Sequence, residues 1–358
     1  MRCGCIFIGT TDAKGALKMN QKIMSSIVLF LNLLTLAGAQ APPKVMHETF
    51  QAVNADGTSA FGGPDKVVLE GIILNAPEYF VDPAAGAPVF MGGQWQIFLQ
   101  GEGDDHAGTA LWMGQYYGKL DWLVHPDDSY TDEQWTSEVC RINHDPNTGY
   151  LFHPGDRVRV TGKYLPYRGK LNINEQHDID PENDFTIQLL APATGLPQPE
   201  VITWDELKDM NNHFVFDPNR INGCEYYQGR LIRINDVSFV NSENWGPNAD
   251  LEITNGSGKT FPVRLGFGAG FQLDPNDLNP MFDVIGILDQ EDDAAPYTGG
   301  YRLWVPNYDG NALVLTDRGR RRGNLPGDIN RDGKVDLFDL AELAVGWLNL
   351  VPGIGDCP

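Results

Sequence analysis

Basic residues are scarce in this sequence: 26 Lys and Arg stand against 48 Asp and Glu, a formal charge of −22. A surface of that sign repels phosphate backbones and anionic membranes and favours divalent cations, so nucleic acid is an unlikely partner. Cysteine is rare too, with 5 in 358 residues. Long hydrophobic runs are missing. The apolar stretch Ile27 to Leu36 covers about ten residues, where a membrane span needs about 20, so the mature chain has no membrane span. There is no G-x-S-x-G, no H-E-x-x-H and no Walker loop, which removes the serine nucleophile elbow, the zinc-protease helix and P-loop chemistry. The glycine-rich segment 266–270 lacks the Lys of a phosphate cradle and reads as a loop. His106 beside Asp104 and Asp105, and His177 beside Asp178 and Asp180, read as solvated loop histidines. No catalytic residue is assigned, because choosing two carboxylates among dozens needs geometry.

What is present points outward from the cell. Lys22, the apolar stretch after it and the small residues Ala37-Gly38-Ala39 or Ala39-Gln40-Ala41 have the order of a secretory signal, so residues 1–41 read as leader and signal peptide. Their removal takes away Arg2, Lys14, Lys18, Lys22 and Asp12, leaving 22 basic and 47 acidic residues, a net of −25. Cys140, Cys224 and Cys357 then remain. An oxidising compartment permits one pair, of which Cys140–Cys224 is one choice, and three thiols cannot all pair internally.

With 358 residues there is room for two cores of roughly 100–150 residues each. The 40 Gly and 24 Pro suit a turn-rich β protein. After a polar lead-in at 42–64, strands are predicted over 66–76, 94–100, 109–117, 156–165 and 170–175. Residues 191–199, APATGLPQP, read as a linker. Thr203 and Glu206 form a capping box that predicts a short helix ending near Met210 to Asn212. A second β region follows, with strands over 228–237, 250–254, 260–265, 281–288 and 300–305; Asn255 to Gly258 turns the middle two into a hairpin.

The two regions repeat one plan. Gly71 with Ile72-Ile73-Leu74 matches Gly229 with Leu231-Ile232, and Val158-x-Val160-x-Gly162 matches Val284-Ile285-Gly286. Five strands with glycine in the first and fourth, where a small barrel must coil, resemble the oligonucleotide/oligosaccharide-binding (OB) fold. The resemblance covers about residues 65–190 and 203–318, and the fold class expected is mainly β, two small OB-like barrels in tandem. The aromatic residues Trp95, Trp112, Tyr116, Tyr117 and Trp122 fall near the second and third strands, where OB barrels bind ligands; filling the barrel core is the weightier reading for most of them. Arg318 and Arg320 to Arg322 read as a solvated linker.

Residues 327–348, GDINRDGKVDLFDLAELAVGWL, carry the pattern D-x-N-x-D-G-x-x-D-x-x-D. Asp328, Asn330, Asp332, Asp336 and Asp339 supply side-chain oxygens at loop positions 1, 3, 5, 9 and 12, and Lys334 a backbone carbonyl at position 7. Ca²⁺ takes six or more oxygens at about 2.3–2.6 Å, and this spacing wraps the chain around one ion, with Gly333 at the sharp turn. With Asp at position 12 and an apolar stripe Leu340, Leu343, Ala344, Trp347 on the next helix, residues 326–350 resemble a type I dockerin repeat. The resemblance implies a cohesin-like or cell-surface partner and a setting of extracellular polysaccharide breakdown. Dockerins of that type carry two repeats and this sequence carries one. The expectation is a secreted, calcium-binding, non-catalytic protein whose β domains bind a partner or carbohydrate; handling of polysaccharide or of extracellular nucleic acid are the alternatives.

Overall fold

Alternation along short strands decides the architecture. In Arg157–Tyr167 the residues Val158, Val160 and Gly162 are buried while Arg159 is exposed, as a strand with one face on a core requires. The computed structural model describes residues 41–122, 125–268, 270–271, 281–308 and 313–314. The expected dockerin-like loop with Asp328, Asn330, Asp332, Lys334, Asp336 and Asp339 lies outside them, as do residues 1–40 of the expected leader and Arg318 to Arg322. Among the described residues no helix is long and apolar enough to cross a membrane.

The chain is mainly β and forms two closed five-stranded barrels of OB-like topology. Among the described residues a short helix comes first, α1 (His47–Phe50), then β1 (Lys66–Ile73), β2 (Gln94–Gln100), β3 (Gly108–Gly114), α2 (Asp132–Asn143), β4 (Arg157–Tyr167) and β5 (Lys170–Asn174). These strands run in the order β1-β2-β3-β5-β4, and antiparallel pairing of β1 with β4 closes the ring. A further strand, β6 (Thr186–Ala191), adds to β4. The second half comprises β7 (Glu200–Ile202), α3 (Trp204–Leu207), α4 (Gly223–Tyr226), β8 (Leu231–Phe239), β9 (Asp250–Thr254), β10 (Thr260–Leu265), β11 (Phe282–Gln290) and β12 (Tyr301–Val305), followed by β13 (Asn307–Tyr308) and β14 (Leu313–Val314). Its order is β8-β9-β10-β12-β11, closed by β11 on β8. In each barrel the third and fifth strands pair in parallel.

Register corrects one internal match. Gly162 sits opposite Val67 and Gly286 opposite Ile232, so the fourth strands correspond as expected. Gly71 lies opposite Val158, and the matching residue of β11, Phe282, lies opposite Val237 across a register shift, so the counterpart of Gly71 falls at Asp236–Val237, where Asp236 takes φ 53°, and not at Gly229. Gly229 has a different task, set out below.

Several segments depart from expectation. The lead-in is not a loose polar arm: His47, Phe50 and Gln51 are buried, and Phe50 stacks edge-on against Phe61 and Tyr164 at 5.2 Å. α2 carries its own signal in the sequence, a capping box of Thr131 and Gln134 with Trp135, Val139 and Ile142 on one face, and that face packs into the first barrel's core. α3 stops at Leu207, earlier than the Met210 to Asn212 end expected. Cys140 is disulfide-bonded while Cys224 is a free buried thiol, so Cys140 and Cys224 do not pair with each other.

The 191–199 stretch is tied down rather than loose. Ala193 N–H donates to Asp156, the Thr194 hydroxyl to the Gly155 carbonyl, and Leu196 packs on the apolar cluster between the barrels. That cluster joins Leu74, Phe80, Phe98 and Ala110 of the first barrel to Leu231, Ile287 and Trp304 of the second. Phe80 lies against Trp304 with ring centroids 4.8 Å apart. Backbone meets backbone at Gly108 and Gly229: Gly108 N–H donates to the Gln228 carbonyl at 2.9 Å, and a Cβ on either glycine would overlap the other's backbone. Gly229 also needs its positive φ of 72°.

A buried ion pair completes the interface. Lys170 Nζ on β5 donates to both Asp289 oxygens on β11, at 2.6 and 2.5 Å, with side chains 3% and 0% exposed. Trp304 Nε1 and Gln228 Nε2 also donate to Asp289, at 3.1 and 3.3 Å. Removing one partner leaves an uncompensated buried charge, which costs about 3–5 kcal/mol, whereas an apolar pair of similar volume is close to neutral. Asp289→Ala is therefore expected to lower stability by about 3–5 kcal/mol in urea unfolding, and Lys170→Met with Asp289→Leu by much less. Equal losses for the single and double changes would remove the ion pair from this role.

Candidate functional site

OB barrels present the face of strands two and three, with the loops after strands one and four, to their ligands. In the first barrel that face is covered. Trp95, Ile97 and Leu99 point into the core, but the outward residues Gln96, Phe98 and Gln100 of β2 and Ala110 of β3 are buried as well. Phe98 and Ala110 lie in the inter-barrel cluster, and Gln100 Oε1 accepts the Leu231 N–H at 2.9 Å.

The corresponding face of the second barrel is open. β9 and β10 alternate between buried residues and the outward set Asp250, Glu252, Thr254, Thr260, Pro262 and Arg264. The register sets Glu252 opposite Pro262 and Asp250 opposite Arg264, and the last two form an ion pair. A cleft of about 540 Å³ lies here. Asp250, Glu252 and Pro262 line it together with Asn241 and Asn244 from the β8–β9 loop. Glu291, Asp293 and Arg302 enter from the β11–β12 side, and Arg168 reaches in from the β4–β5 turn of the first barrel.

Four carboxylates (Asp250, Glu252, Glu291, Asp293) thus line the cleft against two guanidiniums (Arg168, Arg302). Arg302 pairs with Glu291, and Arg168 with Asp293 at 2.8 Å. Glu252 is exposed and accepts from the Thr260 hydroxyl at 3.3 Å. The half-buried Phe214 ring adds an apolar surface. Carboxylates, amides and guanidiniums supply donors and acceptors in many directions, while the net negative lining opposes phosphate.

The aromatic set divides. Trp95 and Tyr117 are core residues, 1% and 0% exposed. Trp112 and Tyr116 are half-buried, and Trp122 is 67% exposed. These five do not form one platform over the β2–β3 face. The two histidines are not solvated loop residues, which corrects that reading. His106 stacks on Tyr226 with centroids 3.7 Å apart, and its ring nitrogens lie 2.9 Å from Glu200 and from the Tyr226 carbonyl. His177 packs among Trp112, Tyr117 and Trp122, and burial lowers its pKa.

Among the described residues one group of carboxylates is close enough to hold a metal ion: Glu138 on α2, Glu175 just after β5, and Asp184 before β6. Burial, followed by the Glu138 charge, pushes Glu175 up to about 8 and Asp184 up to about 6. The sequence offered little to find them by, since they lie far apart along the chain and share no spacing.

Comparison with known proteins shows no family for this chain. No family model matches the chain, and no curated protein matches it. Among solved structures, a chain of a replication protein A heterotrimer bound to single-stranded DNA is similar at 8% identity and a TM-score of 0.24. The match covers 62% of this chain and 43% of that one, so this chain spans less than half the length of the protein it resembles.

Proposed function

We propose that this is an exported, non-catalytic binding protein that offers the β9–β10 cleft of its second barrel to an uncharged, hydroxyl-rich ligand of the oligosaccharide class. The observation that carries the reading is the cleft itself, an open OB ligand face lined by four carboxylates, two guanidiniums and two amides. Such groups hydrogen-bond sugar hydroxyls, and the excess of negative charge weighs against nucleic acid. The C-terminal loop, with Asp328, Asn330, Asp332, Lys334, Asp336 and Asp339, binds Ca²⁺ in the manner of a dockerin repeat and attaches the protein to a cohesin-like or cell-surface partner. The setting is extracellular polysaccharide handling.

A glycan array probed with the full chain tests the cleft. Retained glycans are expected, with Glu252→Ala weakening binding by about 10–100-fold, the range for losing one hydrogen bond to a charged group. An empty array, or salt-dependent retention of single-stranded DNA instead, would discard the oligosaccharide reading. The tail is tested by pull-down from culture medium in Ca²⁺ against chelator. Ca²⁺-dependent capture and protease protection of the tail should both vanish in Asp332→Ala; persistence of both in chelator would sink the loop assignment.

A further inference from the structure

From the geometry at the edge of the first barrel we infer that Glu138, Glu175 and Asp184 together bind one divalent, oxygen-preferring cation. Their ligand atoms lie within 4.8 Å of one another. Oxygens bound to Ca²⁺ at about 2.3–2.6 Å are separated by up to about 5 Å, so this spacing accommodates one such ion. An acidic cluster alone would mean little. The second observation is Glu175, whose side chain is 0% exposed and whose Oε1 has no hydrogen-bond partner. Its other oxygen, Oε2, accepts from the Tyr117 and Tyr130 hydroxyls, each at 3.1 Å, which fixes the carboxylate in orientation. An orphaned buried carboxylate oxygen is expensive, and coordination to a cation relieves it.

Arg141 is the competing cation, and its geometry leaves the place open. Its Nε donates to both Glu138 oxygens at 2.9 and 2.8 Å, its Nη2 also pairs with Glu138, and its Nη1 donates to the Phe185 carbonyl at 3.0 Å. From Glu175 Oε1 and Asp184 it stands off by 3.9 and 3.7 Å, beyond hydrogen-bond reach. One guanidinium therefore faces three carboxylates, and a divalent ion makes the group neutral. Glu138 and Asp184 are partly exposed, at 12% and 22%, so solvent reaches the group from their side while Glu175 is buried. The donors are all carboxylates, the chemistry of Ca²⁺, Mg²⁺ or Mn²⁺ rather than of softer metals.

The test uses the full chain carrying Asp332→Ala and Asp336→Ala, so that the C-terminal loop contributes nothing whatever its own affinity. Equilibrium dialysis with Ca²⁺ is expected to leave one bound equivalent. Asp184→Asn, at a partly exposed position, and Glu138→Gln should each weaken it by about tenfold or more, with the circular dichroism spectrum unchanged. A bound equivalent indifferent to both substitutions overturns the assignment. So does the absence of bound Ca²⁺, Mg²⁺ and Mn²⁺ at millimolar concentration, the result expected if a proton shared by Glu138 and Glu175 occupies the place of the ion.

Discussion

The contact between the two barrels is the constraint on which the rest of the molecule depends. Each is a five-stranded ring, and each would ordinarily leave the outer face of its second and third strands in water. Here Phe98 and Ala110 of the first barrel meet Leu231, Ile287 and Trp304 of the second, so that one of the two faces becomes interior. Apolar burial drives this contact without direction. Direction comes from Lys170 on Asp289, from the Leu231 N–H on Gln100 Oε1, and from the backbone approach of Gly108 to Gly229. The interface therefore fixes which of the two like faces stays open as well as how the halves are joined.

Most strands were legible because their signals are local. Val158, Val160 and Gly162 alternate with Arg157, Arg159 and Thr161, and the turn Asn255 to Gly258 sits between two runs of alternating residues. Duplication helped, since the V-x-G strand occurs in both halves and its register agrees. The barrels' closure follows from pairing rules once five such strands are placed in order.

What escaped is what long-range packing decides. On β2 alternation with Trp95, Ile97 and Leu99 inward leaves Gln96 and Gln100 on the outer face, yet both are buried and Gln100 serves as an acceptor across the interface. No local pattern separates a glutamine in water from one spent on a neighbouring barrel. Lys170 and Asp289, 119 residues apart, are ordinary strand-end charges until the fold brings them together. The same holds for Glu138, Glu175 and Asp184, each on a different element. The cleft residues share no local pattern for a related reason: they come from the β8–β9 loop, β9, β10, the β11–β12 connection and the β4–β5 turn. α2 is the exception: its Thr131–Gln134 box and its apolar stripe are local and readable.

The unequal fate of two like faces bears on valency. A pair of OB barrels strung on a flexible tether would grip a long polymer at two points and gain avidity from the second. In this chain the first barrel's face is spent on its sibling, and the first barrel instead lends Arg168 to the rim of the second barrel's cleft. The barrels together thus leave one of these two faces open per chain. Tight hold on a repetitive polymer would have to come from several chains gathered side by side, not from repetition within one.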